Sequence, residues 1–267
     1  MSTASIALAF AGKDLKVARS YRAPFLLSVV STFMTLVTFK FIADLVSGTK
    51  AGAVTGDYFG FVVVGMALSQ VLDGALSGPT GSARAEQVTG TLEVLASQPV
   101  STTTLALGWA AYPVLQALVV GTIMIGLAGP LGFHLASDPN WLGAVLGMIL
   151  AAIAFAGLGI LGAAFVLTFQ QGGSITQWVT GGLSLMSGVF FPLTLLPVLV
   201  QRLALASPLT HALGAVRGSL LAGKSLQGVA GDLAALAGFA AVLLPLSIAS
   251  LGLALRRARA KGTLSTY

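Results

Sequence analysis

Six long apolar stretches separated by short polar segments constrain this chain of 267 residues more than any other feature. Only 8% of its residues are charged and 56% are hydrophobic, whereas soluble domains are near one quarter charged. A bilayer core of about 30 Å requires about 20 apolar residues per helix. We therefore predict an all-α membrane protein with six transmembrane helices, at about 24–46, 58–78, 104–128, 141–168, 174–191 and 233–255.

Both ends of the chain are basic. Residues 1–23 mix apolar residues with cations, which is typical of an amphipathic helix on the cytoplasmic leaflet. They hold no long apolar core, so no cleavable signal peptide is expected. Residues 256–267 are predicted to form a cytoplasmic basic tail. Because the cations do not form a stripe interleaved with aromatic residues, a membrane is the expected partner and a nucleic acid is not.

Residues 192–222 are apolar but interrupted by Pro192, Pro197 and Pro208. A span here would make seven helices and place the termini on opposite sides. With six spans and both termini cytoplasmic, nine cations lie inside and four lie outside, as the positive-inside rule requires. We therefore predict an extracytoplasmic re-entrant or interfacial hairpin, which needs protein or a water-filled cavity beside it.

The polar segment 81–99 between spans two and three is too structured for a simple connector. Residues up to Gln87 favour a helix, Gly90 favours a break, and Thr91 is a candidate cap for a short helix ending before Pro99. Leu92 and Leu95 would share one face of that helix. The alternative is a solvated connector, but an apolar face with fixed charges suits docking into a cytoplasmic partner.

The residues 86–101, Glu-Gln-Val-Thr-Gly-Thr-Leu-Glu-Val-Leu-Ala-Ser-Gln-Pro-Val-Ser, resemble the cytoplasmic signature of ATP-binding-cassette type-2 (ABC-2) permeases. A second resemblance lies in residues 187–197, followed by Ser-Pro-Leu-Thr-His-Ala at 207–212 and by Arg217. The two signatures stand in the family's order and separation. With the amphipathic start and the hairpin, the resemblance covers nearly the whole chain.

The resemblance implies an exporter permease in the inner (plasma) membrane that is not itself an enzyme. A separate ATPase subunit would bind ATP and Mg²⁺, and this chain would bind no cofactor. The segment 81–99 would be a coupling helix against that ATPase, and the matching positions are Glu86, Gly90, Thr91, Leu92 and Glu93. A second permease copy, identical or a close paralogue, would complete the pore.

Spans two and five of two copies would form most of that pore, according to the same resemblance, and the hairpin would act as an outer lid. Candidate path residues on these spans are Phe59, Met66, Met186 and Phe190. Candidate lid residues are Phe191, Pro192 and Pro197. Such a path suits a lipid, drug or other amphipathic compound. An exporter of polysaccharide is the alternative within the class, although the outer half is poor in tyrosine and tryptophan.

Other classes of function fit less well. An ion-coupled secondary carrier predicts inverted repeats and mid-membrane carboxylates, and neither is visible. Residues 218–225 match the phosphate-loop pattern, but a preceding strand and a surrounding α/β domain are not expected here. Lys40 and Asp44, at i and i+4, are predicted to pair. Cysteine is absent, and His134 and His211 lack metal-ligand spacing, so no metal site is predicted.

Overall fold

The computed structural model describes residues 22–46, 57–98, 100–169 and 173–261, and their regular structure is helical throughout. The helices are α1 (Arg22–Val46), α2 (Tyr58–Val88), α3 (Thr91–Ser97), α4 (Thr102–Ala128), α5 (Trp141–Phe169), α6 (Gly173–Met186), α7 (Val198–Ala204), α8 (Pro208–Leu220) and α9 (Leu226–Lys261). Short 3₁₀ turns occupy Gly129–Leu131 and Leu193–Leu195. The all-α prediction is confirmed for these ranges.

Five of the described helices, α1, α2, α4, α5 and α9, are long and apolar enough to cross a membrane. They coincide with the first, second, third, fourth and sixth predicted spans. The fifth predicted span, 174–191, forms α6, whose 14 residues rise only about 21 Å. Because a bilayer core is about 30 Å thick, α6 alone is too short, and the count of six spans stays a prediction.

The bounds of two predicted spans differ most from the structure. The second span, expected to end at 78, continues to Val88 through Pro79; proline is tolerated within membrane helices whose neighbours satisfy the freed backbone. The last helix begins at Leu226 rather than 233 and continues past Arg256 to Lys261, since basic residues favour a helix C-terminus. Residues 1–21 and 262–267, which hold most of the predicted amphipathic helix and the end of the tail, lie outside the described residues.

Helix α2 is the centre of the bundle. Of its most apolar segment 72% is buried, against 11% for α1 and 22% for α4 and α9. Gly74 and Gly78 face α4, where an added Cβ would meet Ala117 and Pro113. On another side Gly159 of α5 lies directly against the carbonyl oxygen of Ala75. These small residues let α4 and α5 approach the α2 backbone closely, which is how helices associate in lipid.

The ends of the bundle carry different elements. At one end, which we call the α8 end, the Tyr58 hydroxyl donates to the Phe190 carbonyl at 3.1 Å, and the amide of Ala136 donates to the Leu220 carbonyl at 2.9 Å. At the other end, which we call the α3 end, residues of α3, α4 and α9 share one buried cluster that includes Leu92, Leu105 and Leu255. The starts of α2 and α9 therefore lie together, far from α3.

The segment predicted as a re-entrant hairpin, 192–222, contains the second 3₁₀ turn, α7 and α8. Helix α8 packs against α2, α5 and α9, and most of its residues are buried. In α7, Val198, Leu199 and Leu203 are exposed. The segment is thus helical and partly embedded in the bundle, with one short helix left on the surface.

Candidate functional site

The exposed positions of α2 within the bundle form a polar stripe. Between Tyr58 and Arg84, the polar or small residues Gln70, Asp73, Ser77 and Gly81 are exposed, and their spacing puts them on one helix face. No large hydrophobic residue of α2 before Val88 is exposed. A carboxylate and an amide facing lipid are costly, so this stripe must face water or another protein.

A polar cavity of about 340 Å³ adjoins the stripe. Asp73, Ser77 and Arg84 of α2 line one wall, and Thr176 and Gln177 of α6 line another. A neighbouring apolar cavity of about 240 Å³ lies between α2, α5 and α6. Polar and apolar surfaces therefore meet in the space between α2 and α6, an arrangement that can accommodate an amphipathic molecule.

The path residues predicted from the sequence lie mostly elsewhere. Phe59 and Met66 are 2% and 8% exposed, in a cluster formed with α1 and α4. The Phe190 ring stacks on Phe39 with centroids 5.7 Å apart, and Met186 is half-buried at the end of α6. The prediction favoured large apolar residues. The spacing of Gln70, Asp73, Ser77 and Gly81 is also readable in the sequence, and the role of the four predicted residues in a path stays a prediction.

The junction between α2 and α3 is a sharp, cross-linked turn. Gly90 adopts a left-handed conformation with φ of 73°, which glycine allows at little cost. The Thr91 hydroxyl donates to the Glu86 carboxylate at 2.8 Å and lies 2.9 Å from the Thr89 hydroxyl. Thr91 is therefore the first helical residue and not the cap we expected; Gly90 holds the N-cap position. The Thr91 hydroxyl instead links α3 to the end of α2.

The apolar face of α3 points into the protein. Leu92 is 1% exposed and belongs to the cluster of α4, α5 and α9 residues at the α3 end. We had expected this face to dock on a partner. The surface left for a partner carries Glu93 together with Val88 and Val94, which are 59% and 58% exposed.

Arg217 of α8 holds the α8 end together. Its guanidinium donates to the carbonyl of Phe61 at 2.8 and 3.1 Å, of Gly188 at 2.9 Å and of Val189 at 2.8 Å. It also lies 3.4 Å from the Phe61 ring centroid. Burial lowers the pKa of Arg217 to about 9, which leaves it charged at neutral pH. One side chain thus joins α8, α2 and the turn after α6.

Comparison with known proteins assigns this chain to a family. The profile of the family described as ABC-2 type transporter matches residues 13–221. The chain belongs to the ABC-2 type transporter family. It is 26% identical over 191 residues to the inner membrane transport permease YadH of Escherichia coli K12, covering 71% of this chain and 74% of that one. YadH of Shigella flexneri matches to the same extent.

Membership in the ABC-2 family decides the class of activity. The chain is a multi-pass transport permease and not an enzyme. In this family ATP hydrolysis belongs to a separate ATPase subunit. The matched residues include α1, all of α2 and α3, and α8 up to its end, so the stripe, the junction and Arg217 all fall within the family's region.

The predicted lid residues of this ABC-2 permease surround the turn after α6. Phe191 is 47% exposed, Pro192 is buried, and Pro197 is the exposed N-cap residue of α7. Gly188, with φ of 79°, makes the turn. The three residues therefore lie at the α8 end, and their role as a lid stays a prediction.

The polar pairs that we considered are partly confirmed. Lys40 Nζ lies 3.0 Å from Asp44 Oδ1, as expected. His211 does have an acidic neighbour, because its Nδ1 lies 3.0 Å from Asp232 Oδ1 while its Nε2 faces the Leu205 carbonyl at 3.1 Å. Sequence spacing missed this pair since 21 residues separate its members. Among the described residues no group of three metal-ligating side chains is present.

The phosphate-loop pattern does not fold as a phosphate loop. The element before it is the helix α8, where a phosphate loop requires a strand. Residues from Leu221 to Ser225 form the turn that leads into α9, and the Lys224 amide donates to the Gly218 carbonyl at 2.9 Å. The match to the pattern is therefore coincidental, because residues 218–225 form the end of α8 and the turn after it.

Proposed function

We propose that this permease is the membrane half of an ATP-driven exporter, in which two copies move a lipid, drug or other amphipathic compound along the α2 stripe. The observation that carries this proposal is the stripe itself, because it is the exposed part of an otherwise buried membrane helix. The exposed side chains of α6 beside it include Trp178 and Leu185. Two such faces opposed across a dimer axis would enclose a path with polar and apolar walls.

Six crossings are supported by the course of α6 along α2. Thr176 shares a cavity with Thr80, the Ser184 and Ser69 hydroxyls lie 3.4 Å apart, and the Phe190 carbonyl binds Tyr58. The stretch of α2 from Thr80 to Tyr58 rises roughly 33 Å, more than the core thickness. Residues 173–190 would thus cross as a short helix with an extended end.

Coupling to the ATPase is supported by the continuity of α2. Its 31 residues extend roughly 46 Å, so one helix carries both the stripe and the junction with α3. The bond from Thr91 to Glu86 makes a displacement of α3 act on α2. The charge distribution supports cytoplasmic termini and an α3 end that faces the ATPase. The similarity to YadH, an inner membrane transport permease, supports an inner-membrane location.

The test uses the natural absence of cysteine. A single Ser77→Cys residue should react with a charged methanethiosulfonate at least about tenfold faster than Leu115→Cys, because the reactive thiolate forms only where water reaches. Leu115 is the matched control, since it is 60% exposed on α4 with no polar stripe around it. A bifunctional reagent should also join two Ser77→Cys chains. Equal rates and no cross-link would contradict the proposal.

A further inference from the structure

A separate cavity of about 580 Å³ lies at the α8 end, within the size range of pockets for drug-sized ligands. We call it the α8 cavity; α8, the start of α9 and the turn after α6 enclose it. Ser187 and Leu213 are buried in its wall, whereas Thr194, Leu205 and Lys224 are exposed at its rim. It therefore opens to the surface. No residue of the α2 stripe lines it, so the proposed function leaves it unexplained.

The α8 cavity has an excess of positive charge. The Arg217 guanidinium lines it and is bound by carbonyl groups, with no carboxylate in salt-bridge distance among the described residues. Lys224 likewise makes no ion pair within the described ranges. The acid of the cavity, Asp232, is already held by His211 at 3.0 Å. Whether or not His211 is protonated, the four side chains carry a net positive charge.

The other walls of the α8 cavity are mainly apolar, with the hydroxyl side chains of Ser187, Thr194 and Thr210 among them. Leu193 and Leu213 line it together with Pro192 and Leu221. Arg217 donates to backbone carbonyls, so its charge is fixed in place, whereas Lys224 reaches the rim on a flexible stem. A cavity with mainly apolar walls, one fixed cation and one mobile cation is complementary to a molecule with an anionic head and an apolar tail.

We propose that the α8 cavity is a binding site for an amphipathic anion. The anionic group lies between Arg217 and Lys224, and the apolar part packs against Leu193 and Leu213. The shared chemistry is a phosphate or similar anion on an alkyl chain, whether this belongs to a membrane phospholipid or to a soluble amphiphile. The site goes beyond the proposed function, because it requires neither transport nor the ATPase.

Protection of a single cysteine tests the site directly. Thr194→Cys, at the rim, is introduced into the cysteine-free chain and labelled with a charged maleimide in phosphatidylcholine nanodiscs. Octyl phosphate should slow the labelling, and octyltrimethylammonium, with the same tail and opposite charge, should not. In Lys224→Met the concentration for half-protection should rise roughly tenfold, the usual effect of losing one charge-assisted bond. Arg202→Met, an exposed α7 cation outside the cavity lining, should leave it unchanged.

A second arm identifies the source of the anion. If basal labelling is slower in phosphatidylglycerol than in phosphatidylcholine nanodiscs, and octyl phosphate protects in the latter, the ligand is a lipid headgroup. Equal basal labelling with protection by octyl phosphate assigns a soluble amphiphile, and both results support the site. Equal protection by the two octyl compounds, or unaltered protection in Lys224→Met, would overturn it. Lys224 lies on the surface, so this variant should fold even where an Arg217 substitution fails.

Discussion

Individual residues at two places set how closely the elements of this permease approach one another. Arg217 supplies donors to three carbonyl groups on two other segments. Gly65 has no side chain, and an added Cβ there would lie 2.5 Å from the Val189 carbonyl oxygen and 2.7 Å from the Arg217 guanidinium. The long Arg217 side chain thus holds the α8 end together, and it fits there because Gly65 has no side chain.

Replacing Arg217 with glutamine should destabilise the protein strongly. Hydrogen bonds from a charged donor contribute about 1.5–3 kcal/mol each, and the shorter glutamine amide can keep at most one of the three carbonyl partners, so we expect a loss of about 3–6 kcal/mol. Thermal unfolding in detergent measures it. Arg202→Gln is the matched control, since Arg202 is exposed on α7 and surface changes cost about 0.5 kcal/mol or less. Equal melting temperatures for the two variants would disprove this role.

Gly159 occupies the second place. Pro79 has no amide hydrogen, so the Ala75 carbonyl four residues before it lacks its helical donor, and Gly159 of α5 packs directly on that oxygen. Gly159→Ala would put a methyl group there and force α5 away, at a cost of about 1–3 kcal/mol. In Gly238→Ala the new Cβ meets nothing within 4 Å, so a helix-favouring gain of up to about 1 kcal/mol is expected. Thermal unfolding should give the two variants shifts of opposite sign.

At the scale of elements, the important unit is α2 together with α3. The Glu86–Thr91 bond spans the break at Gly90, and Leu92 anchors α3 to the bundle from the inside. A partner pressing on the outer surface of α3 therefore pushes on a helix that is fixed to α2 and to the core behind it.

Thr91→Val should weaken the transmission from the ATPase without preventing assembly. The ATPase is copurified, and the change in the labelling rate of Ser77→Cys on addition of ATP is measured with and without Thr91→Val. We expect Thr91→Val to reduce this change by about fivefold or more, which corresponds to a coupling free energy of about 1 kcal/mol. Thr122→Val is the control, because the Thr122 hydroxyl bonds to Leu118 of its own helix. If both variants keep the full change, the Glu86–Thr91 bond has no role in coupling.

The sequence predicted the long elements and missed what depends on contacts between them. Apolar runs located α1, α4 and α5 within a few residues, because a membrane helix is specified by its own composition. Pro79 did not end α2 and Thr91 did not cap α3. Gly159 packs on the Ala75 carbonyl and the Thr91 hydroxyl bonds to Glu86, and these contacts join segments whose relative positions spacing does not reveal. The His211–Asp232 pair and the carbonyl partners of Arg217 could not be read from spacing either.

At the scale of the whole molecule, the order of the helices relates the two ends of the bundle. Helix α5 finishes at the α3 end and α9 begins at the α8 end, so residues 170–225 connect opposite ends. Whether this segment crosses the membrane decides between five and six spans.

Side-specific labelling should detect it. A charged, impermeant maleimide added to right-side-out vesicles should modify Arg202→Cys on α7 and leave Ser97→Cys at the end of α3 unmodified; inverted vesicles should give the reverse. Both positions are exposed, so differences in burial do not confound the result. Modification of both cysteines from one side would mean that only α4 and α5 cross between them, and five spans would remain.

The contact of Gly159 with Ala75 divides α2 into two unequal arms. From Pro79 to Gly90 the arm is about 16 Å long, and from Ala75 to Tyr58 it is about 25 Å long. If α2 turns about this contact by about 10°, its α3 end moves by about 3 Å and its α8 end by about 4 Å in the opposite direction. The helix would then pivot about Gly159, and an inward displacement of its α3 end would move its α8 end outward, toward an opening of the proposed path.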